Sequence, residues 1–285
     1  MCVTGQSGNF APADKRLYAI RDVTATVSSI PLIASSVMSK KLATGAETIV
    51  LDVKFGSGAF MKTADDAEKL AREMGEIGKG AGRKTSAVIT DMDVPLGFAI
   101  GNALEIAEAV KVLKGEGEEA LTSLCVLLAA KMYQISFGVS EKTSISAAKR
   151  TIADGSAFKT LCAAVRAQGG DEKLLTGEHK FPEPAADLEL LSPADGYITA
   201  MNSETVGKAA AIAGAGRERL GDCIDYSAGI ILSKKYGDYV QKGERLATIY
   251  GELERIKDAR ERLLKAYSIG EARPPEKPIV YKVIE

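Results

Sequence analysis

Three residues of the segment RDVTATVSSIPLIASSVMSKK, residues 21–41, have the types and spacing to bind something small, flat and polar. Ser36 and Lys40 are four apart, so a helix puts them on one face about a turn from each other. Arg21 lies upstream of Pro31, where the chain can fold back across that face. Together they offer a guanidinium fork, a hydroxyl and an ammonium. A ring whose edge runs carbonyl, N–H, carbonyl, as in a pyrimidine base, matches two cationic donors with a hydroxyl acceptor between them. The same donors would stabilise such a ring as it departs with negative charge, which makes Arg21 and Lys40 the candidate catalytic groups. A plainer reading covers the same residues: Lys40 and Lys41 complement a helix C-terminus, and Arg21 beside Asp22 forms a surface ion pair. Spacing alone leaves both open.

Other motifs are weaker. FGSGAF, residues 55–60, follows a strand pattern and precedes a helix, where backbone amides can meet a phosphate, but it lacks a third glycine. A tight turn that carries Phe60 over a site explains it equally well. GKGAGRKTS, residues 78–86, is no P-loop, because Arg83 stands where the second glycine must be and the order is helix to strand. In TDMDVPLGFAIGNALEIAE, residues 90–108, Asp91 and Asp93 follow a strand, and Glu105 and Glu108 lie on a helix. No histidine accompanies them, while the turn at 95–97 offers backbone carbonyls. That donor set suits a weakly held hard cation better than zinc, with a solvated helix face as the alternative.

The elements that must position these groups follow from periodicity. Residues 13–44 read as helical, with Pro31 in a first turn and Gly45 as the stop. ETIVLDV, then a long amphipathic helix capped by Thr63, then TSAVITD make a βαβ unit, which predicts a parallel sheet with covering helices. The stretch from Gly97 to about Gly169 is helical in pattern. TGEHKFPEPAAD has the composition of a linker, so its His179, the single histidine of the chain, is expected in an exposed loop. Beyond it, short strands (GYITAM, AGIILS, RLATIY, PIVYKVI) surround two helices, as in a separate α+β domain. The phrases ADGYITAMN and GDYVQKGERLATIY are similar in cadence to biotinyl and lipoyl carrier modules, yet the expected hairpin tip, YGELER, has no lysine to carry a cofactor.

Composition narrows the classes further. A formal charge of −1 without a basic run argues against nucleic acid as a partner. No uncharged apolar stretch approaches the ~18–20 residues of a membrane span, and the first residues lack the pattern of a secretory signal. Four scattered cysteines with no CxxC fit a reducing cytoplasm.

RLYAIRDVTATVSSIPLIASSVMSKKLATG, DVKFGSGAFM, TDMDVPLG, IGNALE and GAGRERLGDCIDYSAGI together resemble pyrimidine-nucleoside phosphorylase and its relative thymidine phosphorylase, across nearly the whole chain. The resemblance implies phosphorolysis of pyrimidine nucleosides to free base and a pentose 1-phosphate, with phosphate as co-substrate and no organic cofactor. It implies that Arg21 and Lys40 bind the base carbonyls and Ser36 its N–H edge, while Tyr18, Ile33 and Phe60 line the pocket. It also implies a potassium-like cation held by the carbonyls of Leu96 and Ala99 and the carboxylate of Glu108. The implied fold is α/β: a remnant of a helical domain at 13–44, an α/β domain at 1–12 and 45–180, and a smaller barrel-sandwich-like α+β domain at 188–285. Family members begin with well over a hundred further residues, which carry a phosphate loop and a histidine near the base and make most dimer contacts. The expectation is therefore a C-terminal piece holding the base-binding half of the site, impaired in turnover. The alternatives are a non-catalytic pyrimidine-binding remnant or one half of a split enzyme, completed by a separately encoded N-terminal piece.

Overall fold

A computed structural model of the chain describes residues 2–3, 10–217 and 222–285, with the backbone alone for Asp22 and Val23. The Arg21–Asp22 surface pair, most of residues 1–12 and the part of the GAGRERLGDCIDYSAGI motif at 218–221 lie outside the described residues. From the N-terminus run α1 (Pro12–Val23), α2 (Ile30–Ala43), β1 (Thr48–Phe55), α3 (Ala64–Gly80), β2 (Lys84–Asp91) and β3 (Ala99–Ile100). Helices α4 (Asn102–Leu113), α5 (Glu119–Phe137), α6 (Glu141–Ala153), α7 (Ser156–Ala167) and α8 (Lys173–Thr176) follow. Then come β4 (Ala186–Leu191), β5 (Gly196–Met201), α9 (Ser203–Ala210), β6 (Gly229–Leu232), β7 (Tyr239–Val240) and β8 (Arg245–Gly251). The chain closes with α10 (Leu253–Leu264), β9 (Tyr267–Gly270) and β10 (Val280–Ile284).

Two compact units result: Met1–Asp91 with Ser123–Thr151 and Pro278–Glu285, and Met92–Thr122 with Ile152–Lys277. In the first, β1 and β2 pair in parallel from Thr48↔Lys84 to Phe55↔Asp91, as the βαβ pattern predicts. β10 adds antiparallel to β2, although it lies within the 188–285 span that composition sets apart. Its return is fixed by long-range contacts such as Ser86 Oγ donating to the Ile284 carbonyl at 3.0 Å. Alternation along β1 buries Ile49, Leu51 and Val53 against Ile33, Ala34 and Met38 of α2 and Ala67, Leu70, Ala71 and Met74 of α3. Thr63 caps α3 by accepting from the Asp66 amide at 3.2 Å.

The expected single helix at 13–44 is two helices. Residues 24–29 leave the helix because TATVSS is rich in weak helix formers, and its hydroxyls bond the local backbone instead. Thr24 Oγ1 donates to the Ile20 carbonyl at 2.9 Å, and Ala25 takes a φ of 55°.

The second unit is α+β. Its sheets run β3-β6-β8-β4 and β7-β5-β9, around a core that includes the fully buried Ile198, Ile230, Leu246, Ile249, Ile256 and Leu263. Within the stretch predicted to be helical, Ala99 and Ile100 instead pair with Ile231 and Ile230. The YGELER segment is not a hairpin tip but the entry to α10, which buries Ile256, Ala259 and Leu263 at helical spacing. α5, at 19 residues, is long and apolar enough to cross a membrane by length and composition alone, although Glu119 and Lys131 interrupt it, so the absence of a long uncharged stretch stands. Its central Lys131 is nonetheless buried and pairs with Glu285 at 3.0 Å, a contact made within a folded unit.

Met38 anchors α2 with no exposed surface. Met38→Ala should lower unfolding free energy by about 2–4 kcal/mol in urea titration, through lost burial and the cavity left behind.

Candidate functional site

α1 has an inverted pattern of burial. Asp14 is 7% exposed and Arg21 5%, whereas Leu17 and Ile20 are 58% and 56% exposed, so the charged face is the inner one. Asp14, Tyr18 and Arg21 are spaced i, i+4, i+7 and share that face. It meets the stripe Leu32, Ser36, Lys40 of α2 in antiparallel fashion. At one end Lys40 Nζ donates to Asp14 Oδ2 at 2.6 Å and to Ser36 Oγ at 3.0 Å. At the other, the Arg21 guanidinium donates to the Val27 carbonyl at 2.5 Å and the Leu32 carbonyl at 3.2 Å. The stripe is held in place because the neighbouring face of α2 carries Ile33, Ala34 and Met38 into the core.

The sequence-predicted trio is thus partly assembled. Ser36 and Lys40 touch, and the Arg21 guanidinium reaches across from α1 to the Leu32 carbonyl in the first turn of α2. Its Nη groups tie down the loop that joins the two helices, and its Nε is buried without a partner. The Tyr18 ring lies 5.3 Å from the guanidinium carbon. Ile33 is part of the core, and Phe60 stands 60% exposed at the tip of its turn. That turn closes on itself, with the Gly56 amide donating to Met61 and the Ala59 amide to Gly56.

Two groups escaped sequence reading. Asp14, which fixes the Lys40 ammonium, looks like an ordinary acidic residue in a first turn, and only its i, i+4, i+7 relation to Tyr18 and Arg21 signals an inner face. The second is a cross-strand cluster on the face of β1 opposite the core. Thr90 Oγ1 donates to Asp52 Oδ1 at 2.5 Å, and Lys54 Nζ meets Asp52 Oδ2 at 2.8 Å and Thr90 Oγ1 at 3.1 Å. His179 is in an exposed loop, as its composition predicts, and pairs with Asp171 at 2.6 Å.

Two of the three cation ligands implied by resemblance, the Glu108 carboxylate and the Leu96 carbonyl, are engaged in other bonds. Glu108 Oε1 accepts from the Phe98 amide at 2.7 Å and the Ala99 amide at 3.3 Å. Its carboxylate packs over Gly97, where any Cβ would collide with it. The Leu96 carbonyl accepts from Lys235 Nζ at 2.7 Å. Burial draws the Lys235 ammonium below its ordinary proton affinity, while Glu118, Glu108 and Asp238 act in the opposite direction. A free ion at the Leu96 oxygen would have to displace that ammonium, so Leu96 and Glu108 as arranged do not fit a metal ion. Among the described residues no three His, Cys, Asp or Glu side chains cluster as metal ligands.

Asp14→Ala should strip Lys40 of its carboxylate partner and lower stability by about 1–3 kcal/mol, with faster amide exchange along α1. Gly97→Ala should displace Glu108 and expose the Phe98 and Ala99 amides to exchange, whereas Gly75→Ala, where a Cβ meets open space, should not.

Comparison with known proteins agrees with this architecture. Residues 1–158 match the glycosyl transferase family, a/b domain, and residues 197–270 match the pyrimidine nucleoside phosphorylase C-terminal domain. The chain is 47% identical over 289 residues to a pyrimidine-nucleoside phosphorylase of Geobacillus stearothermophilus, covering 100% of this chain and 66% of that protein. It is 46% identical over 288 residues to one from Staphylococcus epidermidis, with the same coverage. A Staphylococcus aureus relative of the same name is 45% identical over 275 residues, 95% of this chain and 63% of its own length. The chain therefore spans a little under two thirds of the curated relatives it matches. It belongs to the glycosyl transferase family that carries this a/b domain, in its pyrimidine-nucleoside phosphorylase group.

Proposed function

We propose that this protein acts in the phosphorolysis of pyrimidine nucleosides and that the α1–α2 hairpin grips the base. The observation that carries the reading is the row along α2: Lys40 bonded to Ser36, with the Arg21 guanidinium one turn further on. A hydroxyl has two acceptor lone pairs. Lys40 uses one on Ser36, which leaves the other for the ring N–H. In this reading Lys40 serves one ring carbonyl and the Arg21 guanidinium the other. Tyr18, beside the guanidinium, supplies apolar wall, whereas Ile33, turned into the core, and Phe60, exposed at its own turn, are not part of this row. Because Arg21 also holds Val27 and Leu32, closing on a base is coupled to the order of the 24–29 loop.

In the reaction, a phosphate oxygen forms the new bond to the anomeric carbon as the bond from that carbon to the ring nitrogen breaks. The electron pair goes to the base, and its negative charge spreads over the two carbonyls. Arg21 and Lys40 lower the barrier there, since their charges are already oriented before the charge develops. The base then takes up a proton, and the pentose leaves as its 1-phosphate. The names of the relatives support a pyrimidine nucleoside as substrate. The free thiols of Cys2, Cys125, Cys162 and Cys223 suit a reducing, cytoplasmic setting.

Uridine mixed with the protein should release uracil only when inorganic phosphate is present, and phosphate-independent release would contradict the reading. Lys40→Met should lower kcat/KM by about 10²–10³-fold. In calorimetry with uracil, Arg21→Ala should abolish the heat seen with wild type and speed amide exchange at residues 24–29. Unchanged affinity would remove Arg21 from the site.

A further inference from the structure

The turn at residues 96–99 is tied together by charges that belong to the chain itself. Lys235, in the turn between β6 and β7, places Nζ 2.7 Å from the Leu96 carbonyl and 4.5 Å from the centre of the Phe98 ring. Its own backbone is fixed by Asp238, whose carboxylate accepts from the Lys235 amide at 2.8 Å. On the other side of the turn, Glu108 is already bonded to the Phe98 and Ala99 amides. The Phe98 carbonyl accepts from the Leu232 amide at 2.8 Å, so the turn is also stitched to β6. An ammonium resembles a potassium ion in charge and size and is bound by the same kinds of donor: carbonyl oxygens, carboxylates and aromatic faces. Here a carbonyl oxygen and a ring are both met by one tethered ammonium.

We propose that Lys235 is a built-in cation standing where a free monovalent ion would otherwise bind, so that this chain orders the 96–99 turn without potassium. The inference is independent of pyrimidine recognition, since it concerns only how this turn is held.

The test is thermal unfolding of the whole chain at fixed ionic strength, in potassium chloride or in tetramethylammonium chloride, whose cation is too large to coordinate. Wild type should give the same Tm in both salts. Lys235→Met, which keeps an apolar stem, should melt about 2–4 °C lower in tetramethylammonium and recover in potassium. Amide exchange at Phe98 and Ala99 should rise and fall in step. A wild-type Tm that rises specifically with potassium overturns the proposal. So does a folded Lys235→Met variant with no potassium-specific recovery. Should that variant fail to fold, Lys235→Gln is read by the same criteria, and the wild-type comparison decides independently.

Discussion

The candidate site depends on one unfavourable act, the burial of charge between two short helices. Asp14 and Arg21 are almost wholly removed from water while apolar residues of α1 stay exposed. A buried charge without partners is expensive, and an arrangement of this kind persists only if every charged head finds a ligand. Lys40 answers Asp14, Ser36 answers Lys40, and the carbonyls of Val27 in the loop and Leu32 in α2 answer Arg21. The register of α1 on α2 is therefore set by polar contacts at both ends of the hairpin. Packing fixes only α2, through Ile33, Ala34 and Met38.

In the proposed reaction this division of labour has a chemical use. Groups meant to stabilise developing negative charge are most effective when they are already oriented and poorly solvated. Asp14 aims the Lys40 ammonium, and the Val27 and Leu32 carbonyls aim the Arg21 guanidinium. In the second unit the same principle recurs with different partners. There Lys235 and Glu108 satisfy a carbonyl and two amides at opposite sides of one turn. The two units share a habit of meeting backbone groups with tethered charges.

How much of this was legible in the sequence follows from distance along the chain. Ser36 and Lys40 could be paired because helical spacing is local, and the parallel pairing of β1 with β2 followed from a strand–helix–strand pattern. Thr63 as a cap was equally plain. Asp14 was not, since an acid in a first turn usually complements the helix dipole and nothing local says that it faces inward. The cluster of Asp52, Lys54 and Thr90 needs the strand register, which joins residues 38 apart. Lys235 meets Leu96 across 139 residues, and Ser86 meets Ile284 across 198, beyond any local pattern. Glu108 was expected as a cation ligand beside the 96–99 turn, and its partners there are amides, which a residue list cannot show.

The central claim, that Ser36 receives the ring N–H between two cationic donors, is most directly tested by comparing uracil with 3-methyluracil in titration calorimetry. The methyl group removes the one donor on that edge and leaves both carbonyls in place. The account predicts that uracil binds and that methylation weakens binding at least ~10²-fold, since a site built to pair a polar hydrogen rejects an analogue that lacks it. Equal affinity for the two rings would contradict it.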